Sequence, residues 1–312
     1  MIDRIGVLVL AYGTPASLDE VSAYYTHIRH GHPPTAEQLD NLLTRYRAIG
    51  GLSPLNDITR TQAELLEETL NHSGYGASFA IYTGMKHCAP FISDVLKQMY
   101  DDGIRKVVGI VLAPHYSSMS VGVYIHEAQD AAREIALKDI SFVHDWYLED
   151  PFLNAWVDRL TNTRNRFTQD EQERLKVVFS AHSLPERIIQ QGDPYFDELL
   201  ENSRIIAERG GVTDWQFAWQ SAGRTSEAWL GPDILQVLRS LYEDGYRSVL
   251  SCPIGFVSDH LEVLYDLDIE AKKVAEELGI HFERAPSLNA DEHLIQALKN
   301  AVLSNLEHRD EG

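Results

Sequence analysis

The chain has 312 residues, of which 44% are hydrophobic, so it can bury the core of one large domain or of two ordinary ones. Its 27 Lys and Arg residues against 47 Asp and Glu give a formal charge of −20, which disfavours nucleic acids and anionic membranes as partners. No apolar run approaches the ~20 residues that span a bilayer, and the first residues do not resemble a cleavable signal. We therefore expect a cytoplasmic protein that binds neither nucleic acid nor membrane.

Two kinds of segment alternate along the chain. Short apolar runs, typical of buried strands, predict strands over 5–13, 79–85, 106–113, 140–146, 176–182, 215–221 and 248–255. Segments with apolar residues every three or four positions predict helices over 57–72, 90–102, 120–136, 151–167, 193–208, 232–244, 258–277 and 290–306. This alternation predicts an α/β fold with parallel sheets covered by helices on both faces.

A weak internal duplication divides the chain into two similar halves. The run LVLAYGTP (8–15) aligns with VFSAHSLP (178–185), which places Tyr12 over His182. We therefore predict two Rossmann-like halves, 1–145 and 146–312, and allow the C-terminal helix to pack back on the first. Since such sheets bind ligands at the carboxyl ends of their strands, Tyr12 and His182 are predicted to face one interdomain cleft.

The two cysteines are not arranged as a metal or redox motif. Cys88 and Cys252 lack CxxC spacing, so a four-cysteine iron–sulfur or zinc site is not expected, and a single disulfide between them stays open. The chain also lacks GxGxxG and Walker phosphate-binding loops. We therefore expect no organic cofactor and no iron–sulfur cluster.

The first candidate for chemistry is His182, which directly follows the apolar run VVFSA. An imidazole at a strand end can bind a divalent metal or accept a proton near neutral pH, although a hydrogen-bonded core histidine is the alternative. After the seventh predicted strand, a helix places Glu262, Asp266 and Glu270 four residues apart on one face. Such a row is either a solvated helix face or a metal route, and its oxygen ligands suit ferrous iron and other divalent cations.

A basic patch and several aromatic residues could hold an anionic, flat ligand. Arg29, Arg45 and Arg47 reverse the overall negative charge locally, close to the Gly50–Gly51 turn and Ser53. Guanidinium groups bind carboxylates through paired hydrogen bonds, so a small polycarboxylate fits this patch. Flat side chains follow the same predicted strand ends and loops, although core packing would also explain them: Tyr12, Tyr46, Tyr124, Trp219 and Trp229.

Taken in order, eight motifs resemble those of the ferrochelatase family, and more narrowly the coproporphyrin ferrochelatases of bacteria. They are AYGTP, YYTHIR, RYRAIGGLSPL, GMKH, VLAPHYS, SAHSLPE, WQSAGRTSEAWLGP and PIGFVSDHLEVLYDLDIE. The resemblance covers nearly the whole chain, and it implies a monomeric lyase that inserts Fe²⁺, a substrate, into coproporphyrin III. A downstream enzyme of haem synthesis is the partner it implies.

The same resemblance implies roles for individual residues. His182 and Glu262 would bind iron and remove protons, and Tyr12 would ligate the inserted iron axially. The residues that would hold the porphyrin and its propionates are Arg29, Arg45, Tyr46, Ser53 and Tyr124. Lys86, His87 and Trp229 would line the pocket, and Asp266 and Glu270 would form an outer metal site. His30 stands where many relatives carry a second arginine, so one propionate contact is expected to be weaker or pH-sensitive.

Several alternatives stay open from the sequence. Protoporphyrin IX is the competing substrate, although protoporphyrin-type relatives commonly carry a residue that does not ligate iron at the position of Tyr12. A cobalt chelatase acting on a reduced tetrapyrrole shares the duplicated plan. A non-catalytic haem carrier would bind product without turnover, and a two-domain solute-binding protein is disfavoured by the start of the chain.

Overall fold

The computed structural model describes residues 4–223 and 225–310, with the side chain of residue 310 left out. These residues form two compact units. The first consists of Met1–Leu112, Ser120–Trp146 and Asn289–Gly312, and the second of Ala113–Met119 and Tyr147–Leu288. Each unit is built on one sheet.

The strands, in chain order, are β1 (Arg4–Ala11), β2 (Ser78–Met85), β3 (Lys106–Val111), β4 (Asp139–Phe142), β5 (Leu175–His182), β6 (Trp215–Gln220), β7 (Ser248–Cys252) and β8 (His281–Arg284). The helices are α1 (Val21–Ile28), α2 (Ala36–Ala48), α3 (Leu55–Asn71), α4 (Ile92–Asp101), α5 (Val121–Glu134), α6 (Asp150–Arg164), α7 (Gln169–Gln172), α8 (Arg187–Gln190), α9 (Tyr195–Arg209), α10 (Ile234–Glu243), α11 (Lys272–Leu278) and α12 (Glu292–Asp310). A 3₁₀ turn covers Leu18–Glu20, and a π-helix covers Val263–Ala271.

Both sheets are entirely parallel and have the same connectivity. The first has the strand order β2-β1-β3-β4 and the second β6-β5-β7-β8. Their central strands β1 and β5 are buried along almost their whole length, because their runs VLVLA and VVFSA present apolar side chains to both faces. Helices α3 and α12 pack together on the first sheet, and α6 and α9 on the second. The predicted α/β fold with parallel sheets is therefore confirmed.

Three elements, α1, α2 and β8, were absent from the sequence prediction, as were the one-turn helices α7 and α8 and the 3₁₀ turn. Helix α2 was missed because Tyr46 is its only buried residue, and its start is instead stabilised by a capping box between Thr35 and Gln38. The short α1 likewise buries only Val21. Strand β8 was missed because it lies at a sheet edge and its sequence HFER holds a single apolar residue.

The fourth strand was predicted too long, over 140–146. Observed β4 ends at Phe142, and the chain then turns so that Nε1 of the buried Trp146 donates to the carbonyl of Val111, 3.0 Å away. The expectation of an ordinary helix over 258–277 also needs correction. Helical conformation is continuous over 261–278, but its centre is a π-helix, in which each N–H bonds five residues back rather than four.

Candidate active site

His182 is the last residue of β5, and a close approach of backbone brings a second segment to it. The N–H of Gly255, just after β7, donates to the carbonyl of Ser180 at 3.1 Å. A Cβ at position 255 would lie 2.3 Å from the Cβ of Ala181, so only glycine fits this contact. The loop after β7 is thereby held against the end of β5, and the residues that follow it reach His182.

Glu262 and His260 meet at this strand end. Nε2 of His182 lies 3.6 Å from Oε2 of Glu262, and Nε2 of His260 lies 3.7 Å from the same oxygen. The side chains of His182 and Glu262 are 33% and 38% exposed, so a ligand can reach them. The structure therefore brings together the two residues predicted for catalysis and adds His260, which the sequence analysis did not select.

The tautomers of His182 and His260 follow from the contacts of their Nδ1 atoms. Nδ1 of His182 lies 2.5 Å from the carbonyl of Ser183, and Nδ1 of His260 lies 3.0 Å from the carbonyl of Ser258. A carbonyl can only accept, so each Nδ1 carries the hydrogen. In the neutral form each Nε2 then directs a lone pair towards Glu262. Two imidazole lone pairs directed at one carboxylate attract a proton.

The pKa values of His182 and Glu262 are shifted in opposite directions, each favouring the charged form. Burial by itself lowers the pKa of His182, but the charge of Glu262 and the hydrogen bond to it outweigh burial and raise that pKa above its ordinary value. Burial raises the pKa of Glu262, but His182 and then His260 lower it well below its usual range. The site at neutral pH therefore holds an ionised carboxylate beside an imidazole that takes up protons readily.

Asp266 and Glu270, the other two carboxylates of the predicted row, lie in the π-helix that follows Glu262. Asp266 is buried, accepts a short hydrogen bond from the Ser221 hydroxyl, and adds to the raised pKa of His182. Glu270 is half-buried further along the π-helix, whose wider turn differs from the α-helical spacing that the prediction assumed. The outer metal site formed by Asp266 and Glu270 stays a prediction.

Aromatic rings surround the imidazole of His182. The ring centroids of Trp229 and Phe256 each lie 6.5 Å from that of His182. Trp229 is half-buried, and its Nε1 donates to the Thr225 hydroxyl at 2.8 Å. These rings provide apolar surface beside the polar site.

In the first unit, Tyr12 directly follows the end of β1. The N–H of Lys86 donates to the carbonyl of Ala11, and that of His87 donates to the carbonyl of Tyr12, so the chain segments beyond β1 and β2 remain paired. Gly13 has a φ of +80°, and a Cβ there would meet Sγ of Cys88 at 2.4 Å. This turn leaves the Tyr12 side chain 43% exposed, with its ring 4.5 Å from that of His87.

A cluster of polar residues surrounds His87. Nδ1 of His27 lies 3.0 Å from Nδ1 of His87, so one ring donates to the other. Burial, followed by the nearby Lys86, His27 and His30, lowers the pKa of His87 to about 3, so His87 is neutral at neutral pH. Nζ of Lys86 lies 4.9 Å from the centre of the Tyr124 ring. The structure thus brings Tyr12, Lys86, His87 and Tyr124 together.

The basic patch occupies two helices and a turn. Arg29 ends α1, donates from Nε to the His32 carbonyl at 3.2 Å, and lies over the ring of Tyr25. Arg45 lies in the last turn of α2. The neighbouring Tyr46 is 1% exposed, and its hydroxyl lies 3.1 Å from that of Thr14. The Ser53 side chain is buried in the turn before α3, so the roles of Tyr46 and Ser53 in ligand binding stay predictions.

Residues 4–223 and 225–310 contain neither a preformed metal-binding cluster nor a membrane-spanning helix. There, no group of three or more His, Cys, Asp or Glu side chains is placed to hold a metal ion. No helix in this part of the chain is long and apolar enough to cross a membrane. Cys88 and Cys252 are both free thiols, so the disulfide left open by the sequence is absent between these two described residues.

Comparisons with known proteins agree with one another. The family model described as ferrochelatase matches residues 4–306. The coproporphyrin III ferrochelatase of Geobacillus kaustophilus is 48% identical over 299 residues, covering 96% of this chain and 95% of the relative. That of Bacillus subtilis is 45% identical over 304 residues, covering 97% and 98%.

Among solved structures, the sirohydrochlorin chelatase SirB from Bacillus subtilis subspecies spizizenii, in complex with cobalt, superposes with a TM-score of 0.61 and 11% identity. The match covers 99% of this chain and 97% of that one, and it shows a shared fold. The family model and the identity over nearly the full length carry the assignment itself. The chain belongs to the ferrochelatase family of lyases, for which ferrous iron and a porphyrin are substrates.

Proposed function

We propose that this chain inserts Fe²⁺ into coproporphyrin III, with His182 and Glu262 as the residues that handle the metal and the protons. The observation that carries the assignment of roles is the convergence of two Nε2 atoms on one carboxylate oxygen at the end of β5. The relatives from Geobacillus kaustophilus and Bacillus subtilis are coproporphyrin III ferrochelatases, which supports the choice of coproporphyrin III.

The reaction exchanges the two pyrrole N–H protons of the porphyrin for one Fe²⁺, so two protons leave for each iron that enters. Neutral His182 accepts one proton at Nε2, because its Nδ1 already donates to a carbonyl. Glu262 stabilises the imidazolium that forms, and the lone pair on Nε2 of His260 can take the second proton. Before His182 accepts a proton, the same Nε2 lone pair and the carboxylate of Glu262 can replace water around the incoming iron, while the porphyrin nitrogens supply its other ligands.

Proton transfer also requires that the porphyrin leave its planar ground state. In a planar ring, the N–H bonds and the lone pairs lie within the ring and face one another. If binding to the protein bends the ring, lone pairs turn towards the metal and N–H bonds turn towards the base. The apolar rings of Trp229 and Phe256 beside His182 are suited to contact a flat macrocycle.

The first unit supplies the groups proposed to hold the substrate. Tyr12, exposed after β1, is the proposed axial ligand of the inserted iron. Lys86 lies over Tyr124, and we propose that it shares the recognition of the four propionates with Arg29 and Arg45. The half-buried setting of Lys86 lowers its pKa and reduces its hydration, which favours a carboxylate partner over water.

Anaerobic Fe²⁺ insertion, followed by absorbance with coproporphyrin III and protoporphyrin IX offered separately, tests this proposal. A clear preference for coproporphyrin III is expected. Preference for protoporphyrin IX would keep the chelatase activity and overturn the substrate, and binding of haem without turnover would favour a carrier. His182→Ala should lose most insertion while still binding porphyrin, and equal activity in that variant would remove His182 from its role.

We further propose a cytoplasmic monomer that needs no iron–sulfur cluster or organic cofactor. Two free thiols support a reducing compartment. Light scattering coupled to gel filtration tests the oligomeric state, and iron and sulfide analysis of the purified protein tests the absence of a cluster. The enzyme that consumes the product is the proposed partner, detectable by transfer of iron coproporphyrin in a coupled assay.

A further inference from the structure

We propose that Arg284 is a positioning residue that holds Glu262 and Asp266 in place by clamping the chain on both sides of them. This inference rests on the proposed roles of His182 and Glu262. Arg284 is the last residue of β8, the edge strand of the second sheet, and it does not belong to any motif singled out from the sequence. We refer to its contacts with Asp259 and Asp268 as the Arg284 clamp.

The strong half of the clamp is a paired contact with the π-helix. Nε of Arg284 donates to Oδ1 of Asp268 at 2.6 Å, and its second terminal nitrogen donates to Oδ2 of Asp268 at 2.7 Å. Two parallel charge-assisted hydrogen bonds fix both the distance and the orientation of the carboxylate. Asp268 lies two residues after Asp266, so the middle of the π-helix is tied to β8.

The other half of the clamp lies ahead of Glu262. Nη1 of Arg284 donates to Oδ1 of Asp259 at 3.2 Å, and it also lies 3.4 Å from the carbonyl of Ala285 and 3.5 Å from the Ser287 hydroxyl. Asp259 is three residues before Glu262 and next to His260. A single guanidinium group therefore binds Asp259, before Glu262, and Asp268, after it.

The setting of Arg284 makes these bonds effective. Its side chain is 12% exposed, and the side chains of Asp259 and Asp268 are 22% and 38% exposed. Because Arg284 itself is largely buried, its ion pairs are less screened than pairs between two exposed side chains, and losing one carboxylate leaves a partly buried positive charge. The clamp therefore resists movement of the segment between Asp259 and Asp268.

A π-helix needs such support. Each of its turns contains more backbone than an α-helical turn, and a sequence that does not require it relaxes to the α-helix. Val263, Leu267 and Ala271 anchor its apolar side in the core, and the clamp anchors a polar side at Asp268. Rewinding the segment by one residue would rotate Glu262 away from His182, and displacements of about 1 Å at a catalytic group can cost on the order of a hundredfold in rate.

The same region provides a matched control. Arg284 and Asp268 line a cavity of about 450 Å³ that is also lined by Arg166. Nη1 of Arg166 pairs at 2.9 Å with Oε2 of Glu283, a residue of the same strand β8 rather than of the π-helix. Replacing Arg166 removes a cation and an ion pair from the same cavity without releasing the clamp.

The experiment compares Arg284→Met, Arg284→Lys, Asp268→Asn and Arg166→Met in the full chain. For each variant, kcat/KM for Fe²⁺ is measured anaerobically, and the porphyrin dissociation constant is measured separately by fluorescence titration. We expect Arg284→Met and Asp268→Asn to lower kcat/KM for Fe²⁺ by about tenfold to a hundredfold, with porphyrin binding within about twofold of wild type. Arg284→Lys should recover only part of the loss, because lysine cannot form the paired contact. Arg166→Met should behave as wild type.

Two further readouts separate positioning from general stability. The double variant Arg284→Met/Asp268→Asn should be no slower than Arg284→Met, because both changes break one contact. Hydrogen exchange should show faster amide exchange over 263–271 in Arg284→Lys, but not in Arg166→Met. If Arg284→Met does not fold, Arg284→Lys and Asp268→Asn carry the test alone.

The outcomes distinguish the clamp from the proposed function. Iron kinetics within twofold of wild type in the Arg284 and Asp268 variants, with His182→Ala inactive, would overturn the clamp and leave the assigned chemistry intact. Equal losses of iron turnover and porphyrin affinity would reduce Arg284 to a general structural residue and also overturn it. Full activity in His182→Ala would overturn the proposed roles on which the clamp rests.

Discussion

Replacing Glu262 by Gln removes a negative charge that lies 3.6 Å from Nε2 of His182. Two unit charges at that distance interact by about 1 kcal/mol in bulk water and by about 4 to 5 kcal/mol at an effective dielectric constant of 20. The two side chains are 33% and 38% exposed. Solvent therefore screens the pair, and the interaction lost is about 1 to 2 kcal/mol. Because the charge of Glu262 favours the imidazolium, its removal should lower the pKa of His182.

The direction of the resulting change in the pH–rate profile follows from the role of His182. Only neutral His182 accepts a proton or binds iron, so insertion should rise with pH as the imidazolium deprotonates. In the wild type this rise should lie above pH 6.5, because Glu262 raises the pKa of His182. In Glu262→Gln the rise should move to lower pH, while the plateau falls by about a hundredfold because the carboxylate is lost.

The assay is the pH dependence of kcat/KM for Fe²⁺, measured anaerobically with saturating porphyrin, together with NMR titration of His182 in the porphyrin-free protein. Glu277→Gln serves as the control, since it removes a carboxylate from the same continuous helical segment over 261–278 but leaves the His182–Glu262 contact in place. A profile of Glu262→Gln that keeps its wild-type position, or moves to higher pH, would refute the assigned interaction.

Three further changes test other parts of the proposal. Tyr12→Phe should keep the rate of insertion within about threefold of wild type but remove the phenolate–iron absorption band from the oxidised product complex, and loss of insertion would contradict an axial role. Gly255→Ala should lower the thermal unfolding midpoint, because its Cβ would lie 2.3 Å from that of Ala181. We expect a destabilisation of about 1 to 3 kcal/mol, and an unchanged midpoint would show that the loop relaxes. Lys86→Met should weaken binding of coproporphyrin III more than that of protoporphyrin IX in fluorescence titrations, and equal weakening would remove Lys86 from propionate recognition.

The strand ends could be predicted from the sequence because buried parallel strands are nearly continuous apolar runs. His182 follows VVFSA, and the run SVLSCPIG precedes the segment that carries Glu262. Their contact could not be predicted, since it depends on Gly255 approaching Ala181 in three dimensions. His260 was overlooked for a related reason. It lies two residues before Glu262, a spacing that puts side chains on different faces of a regular helix, but here it precedes the π-helix.

Elements held by local hydrogen bonds, rather than by buried apolar residues, were also missed. Helix α2 begins at the Thr35 capping box, whose sequence signature TAEQ was available but was not followed by a clear apolar period. The role of Arg284 could not be predicted for a different reason. Nothing in the sequence HFER indicates which carboxylates the guanidinium group of Arg284 contacts. Such partners are set by tertiary packing alone.

The identical strand orders of the two sheets have a consequence for how metal preference could change in this fold. The strands β1 and β5 occupy equivalent places, yet one is followed by the phenol of Tyr12 and the other ends in the imidazole of His182. A phenolate oxygen is a hard ligand suited to ferric iron, whereas imidazole is a borderline ligand that suits ferrous iron, copper or zinc. The backbone at each of these positions is set by its own sheet. A single nucleotide change that swaps tyrosine and histidine could therefore alter which oxidation state of iron is preferred, without a change in either sheet.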